Sequence, residues 1–387
     1  MKRLTLCCLV VILIVLSAIN GCSSKQVRLE PTRFSYFLQN DFDLYIAETR
    51  QWLRDNRVFR SNDPELEIQL NSPFEIKPQN ASGKAVLLIH GLSDSPHSFS
   101  DISKKLADNG FLVRSLLLPG HGGKPEDLML PTINDWLSLV EHHTRLLMNE
   151  VDEVWLAGFS TGANLALIEA INNTEVKGVV LFSPAIVSSK KLVFLAPIAK
   201  YFVDWADIDP EENITRFDSL TMNAAALYYQ SSEIVRELLD STHFERPAFF
   251  ALSEHDSVVD SDAVYNYFKN CFTHQDKQML WFGERQWEDE KISFYSMHKP
   301  AKRISTGSHM SVVYAPYNPF YGEEGSIRIC NNGQNQNAEA ACRSGAETWF
   351  STYGYVEENK IHARLTWNPH FDAMMMQIMA LLNAKSN

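Results

Sequence analysis

The chain has no run of lysine or arginine beyond short pairs, and its 35 basic residues are outnumbered by 47 acidic ones. A formal charge of −12 leaves no basic face to neutralise phosphates. That excludes nucleic acid as a partner. There is no internal repeat and no low-complexity tract, so solenoids and disordered tails are also set aside. No histidine or cysteine spacing suits a metal ion. His142 and His143 are adjacent, and neighbouring residues on a helix point in different directions. What remains, at 45% hydrophobic and 21% charged over 387 residues, is a globular composition with ample material for a core.

Lys2 and Arg3 precede an apolar stretch from Leu4 to Ile19, which ends in AINGCSS. The stretch is short for a membrane span and has the layout of a secretory signal. Ile19-Asn20-Gly21-Cys22 resembles the bacterial lipobox, in which the cysteine is lipidated and becomes the first residue. Residues 1–21 are then a lipoprotein signal peptide, and acyl chains on Cys22 anchor the mature chain to membrane. Ser23 in the next position, rather than aspartate, resembles the pattern sorted to the outer membrane. The expected location is the bacterial cell envelope, lipid-anchored and facing the periplasm. That compartment is oxidising. Cys330 and Cys342 bracket the polar stretch NNGQNQNAEAA, and a disulfide closing it adds roughly 3 kcal/mol by the chain-entropy argument. Cys271 is left over and is expected as a buried thiol.

From Ala85 the sequence punctuates itself. AVLLIHG, FLVRSLLLPGHGG, EVWLAG, VKGVVLFSP, PAFFALS and KQMLWFG are short apolar runs closed by turn residues, and each reads as a strand. Between and after them lie helical patterns. Ile133, Trp136, Leu137, Val140 and Leu147 share one face; Phe371, Met374, Met375, Ile378 and Leu382 share another. Continuous apolar strands alternating with helices predict a parallel sheet covered on both faces. FSYFLQNDFDLYIAETRQWLRDN predicts a helix or helix pair before the sheet. The expected organisation is an N-terminal helical extension over 22–70 and an α/β domain over 71–387. That domain carries two insertions, one over 187–246 and one over 314–367 containing the cysteine pair.

WLAGFSTGAN places Ser160 between Gly158 and Gly162 at a strand-to-helix junction. A nucleophile there needs a tight, strained turn, in which side chains two before and two after would collide. The helix that follows aims its N-terminal N–H groups at the site and favours developing negative charge.

LLIHGLSDSPHSF, LLLPGHGG, LAGFSTGA, LFSPA and ALSEHDSVVD, met in that order, resemble the α/β-hydrolase superfamily, nearest its monoacylglycerol lipase and serine aminopeptidase branch. The resemblance runs from about Ala85 to Asp260. It implies a mostly parallel sheet flanked by helices, with residues 187–246 as a helical cap. It also implies Ser160 as nucleophile, and the N–H groups of Leu92 and Thr161 as oxyanion donors. His90-Gly91 leads into the oxyanion loop, and His90 and His121 are read as loop-shaping residues. Asp256 fits the triad acid, with Ser253 where the family's motif has glycine; Glu254 and Asp260 are read as solvated loop carboxylates.

His274, His298, His309, His362 and His370 all follow Asp256. His309, in STGSHMSVVYAP, has the small neighbours that let an imidazole turn back toward the nucleophile. It is the expected base, with His370, at the start of the last helix, as runner-up. The 53 residues from Asp256 to His309 make GERQWEDEKISFYSMHKPAKR an insertion after the sixth strand. The expected activity is hydrolysis of acyl or lipid-like carboxylic esters through an acyl-enzyme, with no cofactor. A serine aminopeptidase-like peptidase and a non-catalytic envelope lipoprotein using the fold as a binding module are the alternatives. Dense apolar residues in LVFLAPIAKYFVDW and AAALYY predict that some of the cap lines an acyl pocket, unless all of them pack on the sheet domain.

Overall fold

In a computed structural model, which describes residues 29–384, the apolar runs become a single eight-stranded sheet. The expected signal peptide and the expected lipobox at Cys22 lie outside the described residues. The strands are β1 (Phe74–Ile76), β2 (Lys84–Ile89), β3 (Phe111–Leu116), β4 (Glu153–Phe159), β5 (Gly178–Phe182), β6 (Ala248–Ser253), β7 (Gln278–Phe282) and β8 (Ile292–Tyr295). Their order is β1-β3-β2-β4-β5-β6-β7-β8, and only β1 runs antiparallel to its neighbour.

The central strands are apolar at nearly every position because both faces are covered. Ala85, Leu87 and Ile89 of β2 face one core, and Val86 and Leu88 face the other. Helices α4 (Ile133–Met148), α5 (Thr161–Asn172), α6 (Met222–Ser241) and α7 (Ser261–Cys271) supply the first core. Helices α3 (Ser100–Asp108) and α9 (Phe371–Leu382) supply the second. Register then sets the site. Ile89 pairs with Leu116 and with Gly158, Phe159 with Phe182, and Phe182 with Ala251, so the carboxyl ends of β2, β4, β5 and β6 finish in one line. Residues that follow these ends meet in the crevice where open α/β sheets bind ligands.

Two strands escaped the sequence pattern. β1 and β8 are short edges without a continuous apolar run, and most of their residues are only half-buried. ISFY, read as part of an insertion, is therefore a seventh parallel strand. Ahead of the sheet stand α1 (Phe42–Asn56) and α2 (Pro64–Asn71), capped by Asp41 and Asp63. Tyr45 of α1 donates to Leu117 O at 3.0 Å and accepts from Leu117 N at 3.1 Å, which clamps the exit of β3. The fully buried pair Arg57–Glu67 joins the loop after α1 to α2 at 2.8 Å.

The segment between β5 and β6 divides by burial. AAALYY lies in α6, where Ala224, Leu227 and Tyr228 are buried in the first core and Ala225 and Ala226 are buried beside Ala196. LVFLAPIAKYFVDW does the opposite: Leu192, Phe194, Ile198, Tyr201 and Phe202 are each more than half exposed. Between them, residues 209–219 form a strap across the carboxyl edge. Arg57 and Asn71 both donate to Ile214 O (2.7 and 2.8 Å), and Arg60 pairs with Glu211 at 2.9 Å. The N-terminal helices thus fix the strap in place.

The later insertion contains α8 (Gln336–Arg343) and the disulfide Cys330–Cys342. Both sulfurs belong to the second core, beside Tyr321, Phe350 and Trp367. Cys271 is free, and half-buried rather than buried, because it ends α7 at the rim of the first core.

Candidate active site

Ser160 joins β4 to α5 with φ 55° and ψ −118°, a left-handed backbone that is strained for a residue with a side chain. The strain is held by hydrogen bonds. Ser160 N–H donates to Phe182 O at 2.9 Å, and Ser160 O accepts from Ala163 and Ala185 at 3.0 and 3.2 Å. A Cβ on Gly158 would sit 2.3 Å from Gly162 O, and one on Gly162 would sit 2.0 Å from Ile89 O. The two glycines are what lets β4 and α5 approach this closely.

Asp256 follows β6. Its Oδ1 accepts from Val258 and Val259 N–H at 2.8 and 2.9 Å, which turns Oδ2 toward His309 Nδ1 at 2.7 Å. A carboxylate only accepts, so Nδ1 carries the proton and Nε2 is the basic nitrogen. His309 lies with its ring centroid 4.9 Å from that of Phe159, the residue before Ser160. Gly307 brings the histidine loop this near: a Cβ there would stand 2.5 Å from Ser253 Oγ at the end of β6.

The other candidates are engaged elsewhere. Glu254 accepts from the N–H groups of Glu284 and Arg285 (2.6 and 2.8 Å), and Asp260 caps α7 through Ala263 N–H. His274 accepts from Asp276 N–H, and His298 is 3.3 Å from Ser305 O. His362 is buried beside Glu357. His370 donates to Ser296 O at 2.9 Å and lies against Tyr295.

The loop after β2 carries the expected oxyanion donors. Among the described residues, Leu92 N–H has no partner in the chain. Thr161 opens α5, so no preceding turn satisfies its N–H. Two neutral histidines hold this loop. His90 Nε2 accepts from Leu118 N–H and His121 Nε2 accepts from Ser93 N–H, both at 3.0 Å. Each imidazole returns its other nitrogen to a carbonyl: Nδ1 of His90 to Gly91 O, and Nδ1 of His121 to Leu118 O. Burial pushes His90 down to about 4 and His121 well below the usual imidazole range. Gly91 packs on the elbow itself, since a Cβ there would lie 3.3 Å from Ser160 Cβ.

Three residues at the site carry no sequence signature. Asp94 is buried beside the loop, and burial raises its carboxyl to about 6 against the opposing pull of Arg216. Arg216, on the strap, donates from Nη1 to Met310 Sδ at 3.1 Å, and the next residue, Phe217, donates its N–H to Ser93 O at 2.8 Å. Arg364 comes from the later insertion. No group of histidines, cysteines and acids suited to a metal ion is found among the described residues.

Residues 80–227 match the family Hydrolase_4, serine aminopeptidase S33. A thermostable monoacylglycerol lipase of Bacillus sp. strain H-257 is 32% identical over 101 residues, which span 26% of this chain and 40% of that lipase. A carboxylesterase of Bacillus subtilis strain 168 is 24% identical over 226 residues, 57% of this chain and 89% of the relative. Among solved structures, one from a study of the metagenome-derived lipolytic enzymes LipS and LipT superposes with a TM-score of 0.48 at 21% identity, covering 55% of this chain and 86% of its own. Sheet order, elbow and matched residues agree: the chain has the α/β-hydrolase fold, and its residues 80–227 are similar to the serine aminopeptidase S33 family.

Proposed function

We propose that the chain hydrolyses carboxylic esters of acyl or lipid type through an acyl-enzyme on Ser160. The observation that carries this reading is the His309 Nδ1 to Asp256 Oδ2 bond beside a serine held at positive φ. Ser160 Oγ attacks the ester carbonyl while His309 Nε2 takes its proton. The N–H groups of Leu92 and Thr161 hold the oxyanion, each contributing about 3–4 kcal/mol to the transition state. The intermediate collapses, the C–O bond to the alcohol breaks, and Nε2 returns the proton to the leaving oxygen. Water, activated by the same nitrogen, then releases the acid and restores Ser160. Asp256 keeps the imidazole in the required tautomer and stabilises the imidazolium.

The preference for acyl esters is supported by the exposed Leu192, Phe194, Ile198, Tyr201 and Phe202 on the cap, an apolar surface of the kind that engages aggregated lipid. The test is kcat/KM for p-nitrophenyl esters from two to twelve carbons, beside an aminoacyl-arylamide. It should rise up to about fourfold per added carbon, from ~0.8 kcal/mol per buried CH₂, and then level off. Faster cleavage of the arylamide on a flat ester profile moves the enzyme to the peptidase reading. Failure of Ser160 to label with a fluorophosphonate leaves only the binding-module reading. We place the chain at the cell envelope through acylation of Cys22. Equal membrane fractionation of wild type and Cys22→Ser removes that assignment.

A further inference from the structure

Between the strap and the later insertion lies a cavity of about 310 Å³, lined by Asn213, Arg216, Ile329, Asn331 and Arg364 among others. Ser160, Asp256 and His309 do not line it, and its link to them runs through its two arginines. Arg216 touches Met310, the neighbour of His309, and Asp94 feels both Arg216 and His309. Arg364 feels Asp256.

The two arginines are short of partners. Arg216 Nε is buried without an acceptor, and the thioether of Met310 is a weak partner for Nη1. Arg364 is fixed from behind by Asn332 Oδ1 at 2.8 Å and Asn331 O at 3.1 Å, with its guanidinium 5.0 Å from the Tyr353 ring centroid. Among the described residues neither forms an ion pair, although Asp94 and Asp218 lie near enough to Arg216 to attract it. The carboxylates of the cavity are committed elsewhere. Asp218 accepts from the N–H groups of Glu212 and Asn213, Asp209 accepts from Asn331, and Glu212 and Glu339 both engage Arg343. The Arg364 guanidinium is held down to about 10, by burial first and by Arg216 next. Against its burial, Arg216 itself is held up by Asp218 and Asp94, yet both arginines keep donors to spare, which a bound oxyanion would satisfy.

We propose that Arg216 and Arg364 form an oxyanion-binding subsite, and that the ester cleaved at Ser160 bears a phosphate or carboxylate on the part that occupies this cavity. The inference rests on the ester-hydrolase reading and adds the charge of the substrate to it. Arg364 lies outside the residues that match the family, 80–227, so half of the subsite comes from the later insertion.

The test compares 1-decanoylglycerol, its 3-phosphate, and the decanoyl ester of glyceric acid as substrates for wild type, Arg216→Gln and Arg364→Gln. In wild type, kcat/KM for at least one anionic ester should exceed that for the neutral ester tenfold or more, and which one identifies phosphate or carboxylate. That ratio should fall at least tenfold in both variants and recover in part in Arg216→Lys. A ratio unaltered by Arg216→Gln overturns the subsite. Arg364→Gln loses two structural hydrogen bonds; if it does not fold, Arg216→Gln and calorimetry decide. Wild type is titrated with glycerol 3-phosphate, glycerate and glycerol. Binding of an anion that Arg216→Gln abolishes supports the subsite, and absence of binding by either anion overturns it. If no ester is cleaved while an anion binds, the hydrolase reading fails and the subsite stands.

Discussion

His309 and Asp256 lie 53 residues apart in sequence and 2.7 Å apart in space, with the Asp256 side chain fully buried. Their partnership makes Nε2 of His309 the one nitrogen of that ring free to take a proton. Ser160→Ala and His309→Ala should each lower kcat by several orders of magnitude, and Asp256→Asn by about 10⁴. His370→Ala should keep activity near wild type, since that imidazole is tied to Ser296. Hydrolysis of p-nitrophenyl butyrate, with circular dichroism to verify folding, checks all four. Loss of activity on removing His370 rather than His309 reverses the assignment.

The histidine latch has a kinetic consequence. His121→Phe leaves Ser93 N–H without its acceptor and frees the loop that presents Leu92. A donor that wanders from the oxyanion loses part of the 10²–10³ in kcat that such donors contribute. The expected effect is a fall in kcat of about tenfold with KM little altered. A change confined to KM shows that the latch shapes binding instead.

Acid should destabilise this protein early. His90 and His97 are held down to about 4 and His143 to about 3, chiefly by burial. A folded-state pKa below the unfolded one gives stability that is fully present above pH 6.5 and is lost as pH falls through the folded value. Each such histidine steepens the loss by about 1.4 kcal/mol per pH unit. His97→Phe keeps a ring against Tyr314, Phe320 and Tyr321 and removes one titration. Urea unfolding between pH 4.5 and 6 should show a correspondingly shallower slope, and an unchanged slope contradicts a neutral buried His97. Asp94 works in the other direction: its raised pKa means stability is lost as pH rises through about 6.

The disulfide closes a loop with a sequence separation of 12. Double replacement by serine should lower stability by roughly 3 kcal/mol. Calorimetric melting of both forms, each purified under oxidising conditions, measures it. Equal melting temperatures mean that the packing of the second core holds the insertion without help.

The sequence displayed the centre of the sheet because both faces of those strands are buried and the apolar runs are unbroken. It hid β1 and β8, whose edge positions ask for no such run. Ser160, Asp256 and His309 were legible as candidates because each sits at a place where backbone geometry restricts its neighbours: glycines about the elbow, turn residues after β6, small residues before the histidine. Arg216 and Arg364 had no such neighbours. Arg216 lies on the strap and Arg364 ends a short strand, His362–Arg364, far away in the chain, and only the folded strap and insertion bring them to one cavity. The two apolar stretches of the cap were indistinguishable by composition. Whether α5 lay beneath them decided which was buried.

Gly158 and Gly162 limit how this site can change over generations. A methyl group on either would strike main-chain atoms, Gly162 O in one case and Ile89 O in the other. A side-chain clash can be relieved by trimming the neighbour, but a carbonyl oxygen is present whatever residue carries it. No second mutation elsewhere can therefore compensate for a substitution at either position. In a library of active variants, both columns should hold a single letter and covary with nothing.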